Sequence, residues 1–296
     1  MIITNQLKNV KKWLSEDRSQ TGDPYYYHLR LKEDKQKRKI IFDQIKSLYT
    51  EAHEDYRRHY RSLMKYSLDP LNPLDLKDPA YGYPELLDMT TLKGYFGEIF
   101  AAIIAENFSP FNESEWKVPA FFFRNHHQAF DVLEKYKRTG KIKKATMGRT
   151  GDDCLAFVLN GSGEISKILF CEAKCSASHN NKLINDAYEK ISDEMSIPVE
   201  TLRIIAILED YDDDESKKWI DALRRLYLND DNSSERYDLI SYICGQHPIQ
   251  TDSWISKTKR SKSYSGGRKL KVVESHLFDV DDFICEIYGK VVASQP

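Results

Sequence analysis

The sequence predicts an α/β fold in which a mixed β-sheet is flanked by helices. Two apolar runs, residues 154–159 and 165–173, are separated by the turn-forming sequence Asn-Gly-Ser-Gly at 160–163, which favours a β-hairpin. After this hairpin, segments with helical spacing alternate with short apolar runs as far as the C-terminus. Such an alternation is typical of proteins that pack helices against a sheet.

The composition fits a globular protein with a substantial core. The chain has 296 residues, of which 41% are hydrophobic and 30% charged, and its formal net charge is −2. No apolar run approaches the roughly 20 residues that span a bilayer, and the N-terminus lacks the pattern of a signal peptide. We therefore expect a cytoplasmic protein without a membrane partner. The five scattered cysteines form no C-x-x-C pair, which favours reduced thiols over disulfides or a zinc site.

Residues 1–85 are expected to form a helical N-terminal extension, and residues 86–296 to form the main domain. Between residues 32 and 67, apolar side chains recur in steps of three and four, which places them on one face of a helix. Pro70 and Pro73 end this segment because proline cannot continue a helix. The members of the apolar stripe are Ile41, Ile45, Leu48, Ala52, Tyr56, Tyr60 and Leu63.

A second helix is predicted to begin at Thr90 or Thr91, either of which can cap it. This helix is apolar nearly all round, so it should be buried, and a carboxylate inside it is costly. Glu98 is therefore expected either to border a wet cleft or to have a positive partner. The later segments are predicted as a helix over 182–195, a strand over 202–208, a helix over 219–228, a strand over 237–244 and a helix over 282–291.

The candidate site lies on the predicted hairpin. Asp153 opens its first strand, and Glu172 and Lys174 close its second. Side chains alternate faces along a strand, so Glu172 and Lys174 project together, and an ordinary tight turn brings Asp153 close to them. Two neighbouring carboxylates repel each other unless a cation lies between them, and hard oxygen ligands suit Mg²⁺ or Mn²⁺.

This combination of side chains suits phosphodiester hydrolysis. A divalent ion held by Asp153 and Glu172 would polarise a scissile phosphate and lower the pKa of a bound water. The Lys174 ammonium would orient that water or stabilise the charge that develops on phosphorus.

The arrangement resembles the PD-(D/E)xK, or restriction-endonuclease-like, nuclease superfamily, whose mixed sheet carries an acid on one strand and (D/E)-x-K on the next. Asp153 matches the first acid, and Glu172 and Lys174 match the E-x-K. Glu98 matches the helical glutamate that many of these families add as a further metal ligand. Gly-Asp stands here where Pro-Asp often stands in the family, which leaves Asp152 as an alternative to Asp153.

The resemblance spans roughly residues 90 to 210 and implies a restriction-endonuclease-like core within residues 86–296, with C-terminal additions. It also implies a Mg²⁺-dependent endonuclease acting on DNA, in which Mn²⁺ substitutes. The G-E helix, the G-x-D turn and the E-A-K strand together resemble nuclease subunits of antiphage defence systems of the Hachiman type, which work with a helicase. Since the sequence has no Walker-type phosphate loop, an energy-driven step would need a helicase or ATPase partner.

A basic stretch lies outside this resemblance, at residues 256–271, with seven basic residues and no acid. We expect a flexible loop that contacts a nucleic-acid backbone, with a solvated loop as the alternative. Lys182 opens the helix after the motif and is a further candidate for phosphate contact, whereas His179 faces either phosphate or solvent. The candidates in the stretch are Lys257, Lys259, Arg260, Lys262, Arg268 and Lys269.

Other interpretations remain open at this stage. E-x-K alone is a weak signal and occurs four times, but only the copy at 172–174 ends an apolar β-run that has an acid-bearing partner strand. The structural alternative is an ion pair at an exposed strand end. The functional alternatives are a non-catalytic subunit that binds nucleic acid or protein and keeps the nuclease fold, and an RNA-directed nuclease.

Overall fold

The computed structural model describes residues 7–19, 21–63, 78–123, 153–192, 200–228, 234–249 and 251–290. Helices α1 to α7 cover, in chain order, Val10–Trp13, Arg38–Leu63, Met89–Asn107, Asn181–Ile191, Thr201–Leu208, Asp214–Leu228 and Val280–Ile287. Strands β1 to β6 cover Leu14–Ser19, Tyr26–Glu33, Cys154–Leu159, Ile165–Ser176, Glu235–Cys244 and Lys269–His276.

The strands form a six-stranded mixed sheet in the order β1-β2-β6-β5-β4-β3. The four central strands run parallel to one another, and each edge strand is antiparallel to its neighbour. Helices pack on both faces, so the predicted α/β architecture with a mixed sheet is confirmed. The two innermost of these strands, β5 and β6, are buried along most of their length, as expected for parallel strands covered on two faces.

The predicted hairpin is confirmed, with β3 and β4 antiparallel and Cys154 opposite Cys171. The turn is closed by Asn160, whose side-chain carbonyl accepts the N–H groups of Ser162 and Glu164. Gly163 has φ +74°, a conformation that glycine adopts without the steric cost of a side chain.

The N-terminal segment differs from the expectation that it is mostly helical. Helix α2 forms at 38–63, and the predicted apolar stripe is buried from Ile41 to Tyr56, whereas Leu63 is 56% exposed. Residues 14–19 and 26–33, by contrast, are strands. The strand β2 lies parallel to β6, with Tyr26 opposite Leu270. Basic residues interrupt the alternation of apolar and polar side chains along β2, so the sequence did not indicate a strand there. Its pairing partner lies more than 200 residues away in the sequence. The boundary at residue 85 stays a prediction, although the N-terminal segment contributes to the same sheet.

Residues 201–208 are a helix, α5, so the strand predicted for 202–208 was wrong. A short apolar run has no periodicity that separates a buried strand from a buried helix. Here Ile204 and Leu208 are buried, one helical turn apart, while Leu202 is half exposed. The helix packs chiefly against α6.

The strand β6 was missed because its first residues were assigned to the basic loop. Lys269 and Lys271 lie on this central strand, and Lys271 is buried. Burial lowers the pKa of Lys271 to about 8, because desolvation disfavours its charged form. The expectation of a loop through residue 271 was therefore wrong from residue 269 onward.

Helix α3 fixes which face of β4 is available for chemistry. Asp88 caps it by accepting the N–H groups of Thr90 and Thr91, so the cap lies before the two threonines proposed from the sequence. A Cβ added at Gly97 would lie 3.4 Å from the Cβ of Ala173, so the helix backbone approaches β4 closely. Because side chains alternate, the residues next to Ala173 point away from α3, toward α4.

Within these described ranges, no helix is both long and apolar enough to cross a membrane. The five cysteines are all free thiols.

The close approach at Gly97 predicts a position-specific effect on stability. Gly97→Leu should lower the free energy of unfolding by about 1–3 kcal/mol, because the new side chain would overpack the α3–β4 contact. Gly94 lies one turn earlier in the same helix and has no atom within 4 Å of an added Cβ. Gly94→Leu is therefore the matched control, and its higher helix propensity should raise stability by about 0.5–1 kcal/mol. Urea unfolding of both variants measures the difference, and equal effects would show that the approach is not tight.

Candidate active site

Asp153 is held at the entrance to β3 by two hydrogen bonds to the neighbouring strand. Its N–H donates to the carbonyl of Cys171 at 3.0 Å, and its Oδ2 accepts the N–H of Ala173 at 2.7 Å. These bonds extend the β3–β4 register by one residue, so Asp153 stands opposite Glu172. The alternative acid, Asp152, lies outside the described residues.

Glu172 is almost completely buried, with 2% of its surface exposed, and a lysine contacts each of its carboxylate oxygens. Lys174, two residues later on the same face of β4, lies 2.6 Å from Oε1. Lys190 reaches in from α4 and lies 2.5 Å from Oε2. A carboxylate this deeply buried is stable in its charged form only with such charge-assisted hydrogen bonds.

Lys190 is the residue that sequence reasoning missed. Its Nζ also lies 3.6 Å from Oδ1 of Asp153, so one ammonium group sits between the two carboxylates. The helix α4 packs on the sheet through Ile184, Ala187 and Tyr188, which places Lys190 at the margin of the apolar face. The sequence contained this signal, since a basic residue flanking the buried face of the helix after the motif is positioned to reach the motif.

The cluster contains two carboxylates and two lysines, so its formal charge is balanced. Asp153 and Glu172 contribute two negative charges in a buried setting, and Lys190 already places a positive group between them. Carboxylate oxygens are the ligands that Mg²⁺ and Mn²⁺ prefer, so the donor chemistry fits a hard divalent ion. Within the described residues, no group of three or more His, Cys, Asp or Glu side chains is arranged to hold a metal.

Glu98 is buried on α3, with 6% of its surface exposed, as the sequence predicted for its helix. Beyond the effect of burial, its charge raises the pKa of Tyr95, and it acts in the same direction on Tyr83 and Tyr288. Glu98 thus lies beside a cluster of tyrosines. A role for it as a further metal ligand stays a prediction.

Several cations of the basic stretch are used to hold the stretch in place. Arg260 pairs with Asp23 at 2.9 Å, Lys257 pairs with Asp252 at 2.9 Å, and Arg268 pairs with the fully buried Asp238 at 2.8 Å. Burial raises the pKa of Asp238 to about 6, while Arg268 and Tyr264 act in the opposite direction. These three cations therefore stabilise the fold through ion pairs with its own acids.

A second buried carboxylate, Glu274 on β6, anchors the segment that precedes this stretch. It accepts the N–H groups of Trp254 and Ile255 and the hydroxyl of Ser253. Burial alone would raise the pKa of Glu274, but hydrogen bonds, led by that from His276, hold it well below its usual range. The segment is thus pinned to the sheet by an ionised carboxylate.

The remaining predicted contact residues are more accessible. Lys182, Lys259 and Lys262 are exposed, and no ion pair is found for them among the described residues. Lys269 is partly exposed, with its ammonium 5.5 Å from the ring centre of Tyr237. These four cations are the ones free to meet an external phosphate.

Comparison with known proteins adds no assignment: no protein-family model matches the chain, and no curated protein matches it significantly.

The ion-pair cluster predicts a coupling that a double-mutant cycle measures. Lys190→Ala should lower the free energy of unfolding by about 1–3 kcal/mol, because it leaves a buried carboxylate oxygen without its donor. In a Glu172→Gln background the same substitution should cost much less, since the charge that Lys190 balances is gone. Lys182→Ala, an exposed position on the same helix, is the matched control and should change stability by less than about 0.5 kcal/mol. Additive effects of the Lys190 and Glu172 substitutions would contradict the contact.

Proposed function

We propose that the protein is a metal-dependent nuclease that hydrolyses DNA phosphodiester bonds. The observation that carries the proposal is the convergence of Asp153, Glu172 and Lys174 on one face of the β3–β4 hairpin, joined by Lys190 from α4. Hydrolysis of a phosphodiester needs positive charge at phosphorus and an activated water. The lysines would supply positive charge, and an ion held by the two carboxylates would activate the water.

Asp153 and Glu172 would hold the divalent ion, and Mg²⁺ is the ion that fits their oxygens best in a cell, with Mn²⁺ as a substitute. When bound, the ion supplies Lewis acidity to the scissile phosphate and lowers the pKa of a coordinated water. The carboxylate of Asp153 is kept in position by the N–H of Ala173, so its orientation is fixed before a ligand arrives.

In this proposal the two lysines receive the substrate. The side chain of Lys174 is 12% exposed and that of Lys190 is 21% exposed, whereas that of Glu172 is 2% exposed. An approaching phosphate therefore meets the ammonium groups before the carboxylates, and their positive charge offsets the repulsion between phosphate and acid. Lys174 would then stabilise the negative charge that develops on the phosphoryl oxygens.

The biological setting belongs to the proposal as well. The resemblance of the G-E helix and the E-A-K strand to nuclease subunits of antiphage defence supports a role in defence or restriction. Because the sequence has no phosphate-binding loop, any energy-driven step would need a helicase or ATPase partner.

One observation favours a second candidate, a non-catalytic subunit that binds nucleic acid or protein. Both oxygens of Glu172 are engaged by lysines, so the cluster is also a satisfied structural ion-pair network. An RNA-directed nuclease would use the same chemistry as the DNA enzyme and differs only in substrate.

Cleavage of supercoiled and linear DNA with Mg²⁺ or Mn²⁺ tests the nuclease directly. Glu172→Ala, Lys174→Ala and Asp153→Ala should each reduce the rate by at least about 100-fold. The two acid substitutions remove a ligand of the proposed ion, and Lys174→Ala removes positive charge that stabilises the transition state. Lys217→Ala is the matched control, since Lys217 belongs to an E-x-K at the exposed start of α6 and pairs with Asp212. Its rate should equal that of the wild type.

The fold of every variant is checked by circular dichroism and urea unfolding. Equal rates for the wild type and Glu172→Ala would exclude catalysis at this site. Binding of DNA without cleavage, in the presence of either metal and of an ATPase partner, would favour the non-catalytic subunit. Preference for RNA over DNA of the same sequence would redirect the assignment to the RNA-directed nuclease.

The exposed lysines of the basic stretch predict a change in the salt dependence of DNA binding. Each phosphate contact contributes about 0.9 to the slope of log K against log salt, so Lys259→Ala with Lys262→Ala should reduce that slope by up to about 1.8. Lys39→Ala with Lys46→Ala, two exposed lysines of α2, is the matched control. An unchanged slope for the first pair would show that this stretch does not contact the DNA backbone.

A further inference from the structure

A stacked aromatic pair lies at the carboxyl ends of the central parallel strands. The rings of His179, which follows β4, and Trp254, which follows β5, have centroids 4.0 Å apart and planes inclined by 11°. Both side chains are partly exposed. In open α/β sheets, ligands bind in the crevice outside the carboxyl ends of the strands, which is where this pair lies.

The pair is linked to the candidate active site through Tyr242. In the parallel register of β4 and β5, Tyr242 is the direct partner of Lys174, and neighbouring strands lie about 4.8 Å apart. The hydroxyl of Tyr242 lies 3.4 Å from Nδ1 of His179, and the two rings meet edge to face. A ligand seated on the pair is therefore within about one or two nucleotides of Lys174.

The backbone at both residues of the pair is held by hydrogen bonds to side chains. The N–H of His179 donates to the side chain of Gln246, and the N–H of Asn180 donates to the hydroxyl of Tyr242. The N–H of Trp254 donates to the buried carboxylate of Glu274. A platform that is ordered before binding loses little conformational entropy when a flat ligand stacks on it.

The surrounding charge suits a phosphate-bearing ligand. Asn180 caps α4 by accepting the N–H of Lys182, and the Lys182 side chain is exposed on that first turn. The positive end of the α4 dipole lies next to His179, which directly precedes the cap residue Asn180. A phosphate that follows a stacked base would therefore meet positive charge on the side of α4 and at Lys174.

We propose that His179 and Trp254 form a stacking platform for an unpaired base of a DNA strand whose neighbouring phosphate lies at Lys174. The inference rests on the proposed nuclease function and specifies its substrate as DNA with a single-stranded segment at the cleavage point. In a duplex both faces of each base are covered by its neighbours, whereas an unpaired base stacks readily on aromatic side chains.

Tryptophan fluorescence reports on this platform without any substitution. The other three tryptophans, Trp13, Trp116 and Trp219, are at most 2% exposed, so quenching by an added ligand reports on Trp254. The full chain is titrated without metal, with oligo(dT), with a duplex of equal length, and with an abasic deoxyribose-phosphate strand of equal length. Oligo(dT) should quench the fluorescence. The duplex and the abasic strand, which carry phosphates but no unpaired base, should not.

Substitutions then measure the contribution of each ring. His179→Ala and Trp254→Ala should weaken binding of oligo(dT) about 5- to 100-fold while leaving duplex binding unchanged, because stacking contributes about 1–3 kcal/mol per base. Trp254→Phe keeps an aromatic face and should retain most of the affinity. Tyr81→Ala is the matched control, since Tyr81 is 65% exposed and lies on the segment before α3.

The outcomes separate this inference from the proposed function. Quenching by oligo(dT) alone supports the platform even if the wild type cleaves no substrate, in which case only the nuclease proposal fails. If the wild type cleaves DNA but oligo(dT) and the abasic strand quench the fluorescence equally, the platform is overturned and the nuclease proposal stands. The same holds if the wild type cleaves DNA and neither strand quenches. Equal loss of duplex and oligo(dT) binding in His179→Ala would also overturn it.

Discussion

Three buried carboxylates on one face of the sheet determine which groups pack against that face. Glu172 on β4, Asp238 on β5 and Glu274 on β6 are at most 2% exposed, and the strand registers place all three on the face toward α4. A buried charge is tolerated only when it is paired and hydrogen-bonded. Each carboxylate is therefore covered by its own donors. Lys190 of α4 pairs with Glu172, and Arg268 pairs with Asp238. Glu274 accepts the hydroxyl of Ser253 and the N–H groups of residues 254 and 255.

The need to pair buried acids also reduces the number of cations in the basic stretch that can bind nucleic acid. A run of seven basic residues suggests a free electrostatic surface, yet Arg260 and Arg268 are paired with acids of the fold, and Lys271 is buried in β6. The positive charge left for a polyanion is thus smaller than the sequence indicates. With a net charge of −2 for the chain, attraction of nucleic acid depends on where the remaining lysines lie rather than on their number.

The sequence predicted the elements that depend on local residue patterns, and the strands that depend on pairing with distant segments were missed. Turn residues predicted the hairpin, and the alternation of side chains along a strand predicted the shared face of Glu172 and Lys174. These two features position the site. The apolar composition of its helix predicted that Glu98 lies in a buried helix. Strands β2 and β6 escaped prediction because charged residues interrupt their apolar pattern and each is stabilised by a remote partner. Lys190 was missed because the contact follows only once α4 is known to pack on β4, although its position beside the apolar face of that helix was visible in the sequence.

The register of β4 unites these features. Gly97 of α3 contacts the face that carries Ala173, so the opposite face carries Glu172 and Lys174 and leads through Tyr242 to His179. A slip of one residue in a strand moves every side chain to the other face. Such a slip would set both charged groups against the apolar α3, where they would have no donors, and would separate Lys174 from the aromatic pair. The same packing that stabilises the sheet therefore also fixes where phosphate chemistry and base stacking can meet.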